Sequence, residues 1–162
     1  MAENVSISPV AKAAEREIVI ERVFDATPEI VFKVWTEPAH LARWWGPKGF
    51  TNSAWEVDLR VGGAWRIVMR APNGAEYPGG GVYREIVKPS RLVFTNSAMD
   101  KEGNPIIEGF TTVTFAEYGG KTKLTLRTRA VALVSYAAQM LEGMEAGWTQ
   151  SLERLGEELA RS

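Results

Sequence analysis

The chain has 162 residues, 19 basic and 20 acidic side chains, no cysteine and one histidine. That length predicts a single domain burying about 70% of its unfolded-chain surface, and the interspersed charge gives no basic stripe for nucleic acid. Without cysteine there is no disulfide, thiolate nucleophile or zinc–thiolate site, and a lone imidazole leaves catalytic zinc and non-haem iron without their usual ligands.

No cofactor, metal or nucleic-acid partner is therefore expected. Met1 to Ala14 has neither the basic start nor the apolar run of a signal peptide. No stretch approaches the roughly 18 apolar residues of a membrane span, so a cytoplasmic location is expected. Residues 1–16 read as a flexible N-terminal arm and 17–161 as one domain.

In chain order, Glu17 to Phe24 is rich in β-branched residues and reads as a strand. Thr27-Pro28-Glu29 then fits an N-cap, a first-turn proline and an acid at the positive helix end. The helix it opens stops before Pro38, and a second short helix carries Leu41 to Trp45 and ends at Gly46-Pro47. His40 on that second helix reads as a solvated residue. From Phe50 the period becomes two. Trp55, Val57 and Leu59 alternate with polar residues, Gly62-Gly63 turns the chain, and Trp65, Ile67 and Met69 follow in the same way. Pro72-Asn73-Gly74 signals a hairpin. Gly79-Gly80-Gly81 reads as a hairpin turn or bulge, since no phosphate-binding motif surrounds it. Gly81 to Val87, Arg91 to Ala98, Phe110 to Glu117 and Lys121 to Ala130 complete the strands.

Leu133 to Arg161 reads as one long amphipathic helix, with Leu141, Met144, Trp148, Leu152, Leu155 and Leu159 on its apolar stripe. At 1.5 Å per residue it would span about 40 Å. Gly143 and Gly147 interrupt the stripe, each costing about 0.8–1.0 kcal/mol relative to alanine. They mark either tight sheet contact or open space. The order of elements predicts an α+β fold: a curved antiparallel six- or seven-stranded sheet wrapped around a long C-terminal helix. Two short helices lie between strands 1 and 2.

Five segments carry a family resemblance: Glu21 to Ala26, Trp44 to Pro47, Asp58 to Arg66, Arg91 to Thr95 and Gly143 to Trp148. Together they resemble the bacterial branch of the activator of heat-shock protein 90 ATPase homologue family (C-terminal-domain-like), in the START/Bet v 1-like superfamily. The resemblance covers about Glu17 to Leu159 and implies a helix-grip fold with a hydrophobic cavity between sheet and helix. In relatives that cavity serves lipids, hormones, polyketides or unidentified small molecules. It also implies that a chaperone is a conceivable partner. Chaperone-activating relatives carry a further N-terminal domain where this sequence has Met1 to Arg16. The resemblance brings no catalytic residue to these positions.

The expected cavity and ligand-binding residues are Trp55, Trp65, Ile67, Met69, Tyr83, Phe94, Asn96, Met140, Met144 and Trp148. Asn96 and Tyr83 are the polar anchors among them, by strand parity and because a buried tyrosine hydroxyl seeks a partner. The same residues could equally form a solid core, since methionine and aromatics are most often simply buried. Trp44-Trp45-Gly46-Pro47 reads as a plug at the barrel end in preference to a flap, and Asp58 with Arg60 as a stabilising pair.

The leading expectation is a non-enzymatic protein, monomer or homodimer, that binds a small apolar or lipid-like ligand. One alternative is a polyketide cyclase or hydrolase-like enzyme using the same cavity, for which Glu108 is the sole conceivable buried base. The other is a co-chaperone-like interaction module connected with stress response, which would show Trp44 and Trp45 in an exposed patch.

Overall fold

The computed structural model describes residues 15–161. Apart from Glu15 and Arg16, which begin the first strand, the expected N-terminal arm lies outside the described residues. Seven strands, β1 (Glu15–Phe24), β2 (Thr51–Val57), β3 (Ala64–Arg70), β4 (Glu76–Val87), β5 (Arg91–Met99), β6 (Pro105–Tyr118) and β7 (Lys121–Ala132), form one antiparallel sheet. Their order is β1-β7-β6-β5-β4-β3-β2, a meander closed by the return of β1 onto β7. Helices α1 (Pro28–Thr36) and α2 (Pro38–Trp44) fill the link between β1 and β2. A 3₁₀ turn (Ser135–Ala137), α3 (Ala138–Glu142) and α4 (Met144–Arg161) follow the sheet. None of the described helices is long and apolar enough to cross a membrane.

Period-two alternation sends one set of side chains to the concave face. In β7, Thr122, Leu124, Leu126, Thr128, Ala130 and Ala132 are all buried, each two residues from the next. Register then aligns neighbouring strands, so that Ile20 faces Leu126, Leu126 faces Val113, and Val113 faces Leu92. These four residues form a continuous buried row across the sheet. Irregular pairing between Ser53 and Glu56, Tyr83 and Glu85, and Ala98 and Met99 adds curvature, as extra residues in one strand do. Leu152 and Leu155 of α4 and Phe32 and Trp35 of α1 fill the concave face. A smaller cluster of Ile106, Ala130, Ala132, Ala137 and Leu141 caps the other end.

The single 40 Å helix expected from Leu133 onward is not formed. Leu133 still donates its N–H to Ile106 in sheet fashion, at 2.8 Å, and the helical path breaks at Gly143, whose φ of −89° and ψ of 0° leave the α region. The break exposes carbonyls at the end of α3. Arg16 of β1 takes two of them, Leu141 O at 3.2 Å and Glu142 O at 2.9 Å, and also pairs with Glu145 at 3.1 Å. A charged donor on a neighbouring strand thus supplies the bonds that helix continuation would have made. The remaining helix, α4, has 18 residues and spans about 27 Å.

Gly79-Gly80-Gly81 is likewise not a turn. It lies inside β4, with β3 on one side and β5 on the other. A Cβ on Gly81 would stand 1.7 Å from Thr95 O and 2.8 Å from Trp65 Nε1. The glycine is therefore required by close backbone approach. It leaves room for the Trp65 indole to donate to Thr95 O at 3.1 Å. Because the clash is with backbone, Gly81→Ala should destabilise the fold by about 3 kcal/mol, the upper range for overpacking. A denaturant titration read by far-UV circular dichroism measures it, and an unchanged midpoint would contradict the assignment.

Candidate functional site

Strand alternation places Trp55, Trp65, Tyr83 and Phe94 along one side of the concave face. Helix α1 adds Trp35, and the loop leaving α2 adds Trp45. The Trp45 ring occupies the centre. Its centroid lies 6.2 Å from Trp35, 5.7 Å from Trp55, 5.4 Å from Trp65, 6.4 Å from Phe94 and 5.2 Å from Trp148. Trp55 stacks on Trp65 at 5.7 Å and 19°, and Trp148 on Trp35 at 6.3 Å and 16°. Such pairs contribute about 0.5–1.5 kcal/mol each beyond the area they bury. The space left between the rings is about 10 Å³, walled also by Leu41 and Leu92. That is the room of one water molecule, so the roomy cavity expected from the sequence is occupied by indole rings.

Of the ten residues expected to line it, Trp55, Trp65, Tyr83 and Phe94 meet at this void. Ile67 is buried in the same core. Met69 is half-buried on the adjoining strand position, its sulfur 3.1 Å from where a Cβ on Gly46 would stand. Trp148 joins the cluster through Trp35 and Trp45, and Met144 packs partly buried against both clusters. Met140 is exposed, on a different face of α3 from the buried Leu141. Asn96 is half-buried above Gly109, and its Oδ1 accepts from Thr111 Oγ1 at 2.7 Å. Thr111 in turn lies 2.8 Å from Thr128 Oγ1, so Asn96 serves a polar row on the sheet. Glu108, weighed as a buried base, is exposed.

Trp35 and Trp45 are wall residues that strand periodicity could not find, because one lies on a helix and the other on a loop. Trp44 is fully buried and donates to Val34 O at 3.0 Å, so the Trp44-Trp45 segment acts as a plug. Neither glycine marks tight sheet contact: Gly143 is exposed at the break between α3 and α4, and Gly147 is half-buried beside Pro47. A Cβ on Gly147 would meet nothing nearer than Pro47 Cγ at 3.8 Å, and one on Gly143 nothing nearer than Met140 O at 3.8 Å.

Three polar groups bear on the interior. Trp35 Nε1 and Trp55 Nε1 are buried N–H donors with no acceptor. Burial pushes the Tyr83 hydroxyl well above its ordinary pKa, so it stays protonated. Among the described residues no cluster of acids and histidines is arranged to hold a metal ion. A separate hollow of about 550 Å³ lies outside, between α1 and the end of β2. Its wall includes the exposed, oppositely charged Glu29, Lys33, Glu37 and Lys88, which makes it a solvent groove.

The plug is held from α4. Arg154 Nη1 donates to the carbonyls of Trp45, Gly46 and Pro47 at 3.0, 3.0 and 2.9 Å, and Nη2 to Arg43 O at 2.9 Å. Gly46 N–H donates to Ser151 Oγ at 3.0 Å and Lys48 N–H to Gln150 Oε1 at 3.0 Å. Asn52 Nδ2 also reaches Trp45 O, at 2.8 Å. Burial lowers the Arg154 pKa, with Glu157 partly offsetting it, yet a guanidinium stays charged throughout the physiological range.

A second strap joins α2 to α4. His40, expected to be solvated, is mostly buried, and its Nδ1 lies 2.7 Å from Glu158 Oε2. Arg43 donates to the same oxygen at 3.0 Å and Arg161 to Oε1 at 3.1 Å. The Glu158 side chain is 1% exposed. Desolvation raises its pKa, but the hydrogen bonds from His40, Arg43 and Arg161 outweigh that and hold it below the ordinary carboxylate value.

The curled sheet and its C-terminal helix agree with the comparisons to known proteins. The family model described as Activator of Hsp90 ATPase homolog 1-like protein matches residues 25–160. The chain belongs to that family. A crystal structure of a Chromobacterium violaceum protein is 31% identical, with a TM-score of 0.76 over 88% of this chain and 96% of that one. The AHSA1 protein of Silicibacter pomeroyi is 29% identical, with a TM-score of 0.73 over 90% and 98%. An Arthrobacter aurescens protein is 26% identical, with a TM-score of 0.76 over 93% and 88%. Among curated proteins none matches the chain.

Within this family member the two straps give separable expectations. Arg154→Ala strands carbonyls in the plug loop and should cost about 2 kcal/mol, the usual range for hydrogen bonds to a charged group. It should also red-shift the tryptophan emission as Trp45 loosens. Full stability with unshifted emission would show that the loop holds itself. Glu158 has a lower pKa folded than unfolded, so its contribution is complete above the ordinary carboxylate range and declines as pH falls through the folded value. Urea titrations from pH 7 to pH 3 should show that decline, and Glu158→Gln should flatten it. Identical slopes in both proteins would remove the strap from the acid response.

Proposed function

We propose that this protein is a non-enzymatic binder of a small apolar or lipid-like molecule, taken into the aromatic interior when Trp45 moves aside. The carrying observation is the construction of the plug. Trp45 fills the centre of the interior, yet it belongs to a loop, held by side chains of α4 and by Asn52 and not by ladder hydrogen bonds of the sheet. Beside it, Pro47 faces Gly147 across a contact with slack for a Cβ. Removing one indole ring would open a space walled by Trp35, Trp55, Trp65, Phe94 and Trp148. Ligand sites are characteristically of that kind, mostly apolar with few polar groups.

The inward polar set favours binding over catalysis. General acid–base work needs a group within hydrogen-bond reach of the moving proton. Asn96 is engaged with Thr111, Glu108 is exposed, and Tyr83 keeps its proton. The interaction-module alternative drew on an exposed tryptophan pair, but Trp44 is buried and Trp45 is half-buried inside the cluster.

Native mass spectrometry of the purified protein, with thermal shifts across a lipid and aromatic library, tests the reading. A stabilising ligand should quench or shift tryptophan emission, since the rings surround it. Gly147→Leu, which fills the slack beside Pro47, should abolish that response while retaining the fold. No co-purified molecule and no thermal shift across the library would overturn the assignment.

A further inference from the structure

The aromatic interior carries more information than its apolarity. Among the described residues three buried side-chain polar atoms lack a hydrogen-bond partner, and two of them, Trp35 Nε1 and Trp55 Nε1, belong to rings lining the same void. Trp65, the neighbouring indole, is satisfied by Thr95 O, so unmet donors are not general to the cluster. Trp35 is 2% exposed, which denies its N–H any bulk water. A buried donor left unmade costs about 1–3 kcal/mol, and native interiors rarely keep two in one place.

A water molecule answers the pair poorly. The void is about 10 Å³, at the lower limit for one water. That water could accept from both indoles, but it would still have two protons to place. The surrounding wall is aromatic and aliphatic apart from Tyr83, whose hydroxyl supplies one acceptor at most once it has used its own proton. A carbonyl oxygen has the complementary inventory: two lone pairs and no proton. The Trp45 ring packs against both indoles, with centroids 6.2 Å from Trp35 and 5.7 Å from Trp55. A guest replacing that ring would be flanked by both.

We propose that the interior site selects a mono- or bicyclic apolar molecule bearing one carbonyl oxygen, which accepts from the Trp35 and Trp55 indole N–H groups while the ring takes the place of Trp45. The inference rests on the binding reading above and adds the ligand's chemical class. It assigns Trp35 and Trp55 as the specificity residues. The remaining wall, Trp65, Phe94 and Trp148, supplies stacking that is indifferent to the carbonyl.

The test uses two probes of one shape, acetophenone and α-methylstyrene, in which a carbonyl oxygen is exchanged for a methylene group. Both are titrated into the full chain and followed by calorimetry and tryptophan emission. Acetophenone should bind at least tenfold more tightly. Trp35→Phe and Trp55→Phe, checked for folding by circular dichroism, should each bring the ratio of acetophenone to α-methylstyrene affinity towards one. Equal affinity of the two probes for the unsubstituted protein would overturn the carbonyl assignment while the binding reading stands. That comparison needs no variant, so a folding defect in either substitution does not rescue the claim. Binding of neither probe would overturn the inference, and failure of the wider library as well would remove the binding reading beneath it.

Discussion

The Trp45 ring lies at the centre of the concave face, between a sheet that cannot close on itself and a helix that cannot reach all of it. Besides the adjacent Trp44, its five ring neighbours come from α1, β2, β3, β5 and α4, so one side chain ties together elements far apart in sequence. The backbone bearing it is held by Arg154, Ser151 and Asn52. Aromatic packing places the ring, and charge-assisted hydrogen bonds to loop carbonyls keep the backbone from drifting. Both contributions depend on α4 lying where it does. That position follows in turn from the break at Gly143 and from the Arg16 bonds that stabilise the broken end.

A domain of this length has ample apolar surface for a solid core, and most of this interior is one. Leu92, Val113, Leu124, Leu126, Leu152 and Leu155 are buried among strands and helix in the ordinary way. The tryptophan-rich half differs in how its polar atoms are treated. Elsewhere most buried polar side-chain atoms find partners, as Thr36 does with Phe32 O and Thr111 with Asn96 and Thr128, and Asn52 Oδ1 is the one other exception among the described residues. Two indole donors at the void do not. The contrast within one small core sets this half apart in how its polar atoms are satisfied.

The two straps from α4 divide the work by charge chemistry. Arg154 presents a planar fork of donors to carbonyls and responds little to pH, because a guanidinium does not titrate under ordinary conditions. Glu158 gathers three donors from α2 and α4, which hold its carboxyl below the ordinary carboxylate value. Arg154 holds the plug loop and the end of α2, and Glu158 ties α2 to α4.

Strand periodicity in the sequence was enough to fix the curled antiparallel sheet, and it placed Trp55, Trp65 and Phe94 together on its inner face. The alternation of Thr122 to Ala132 and the turn at Asn73-Gly74 are local signals, and local physics sufficed to read them. The five short segments named at the outset carried the family for the same reason, since each is contiguous. Tertiary structure alone decided that the final helix breaks, because the carbonyls freed there are taken by Arg16, 125 residues away. It alone buried Glu158 against His40, a pair that helical periodicity assigns to solvent, because the second helix of the link packs over that turn. It also alone decided that the expected hollow is occupied by Trp45. How far a loop residue enters an interior depends on the volume left by every other wall, and no window of sequence contains that sum.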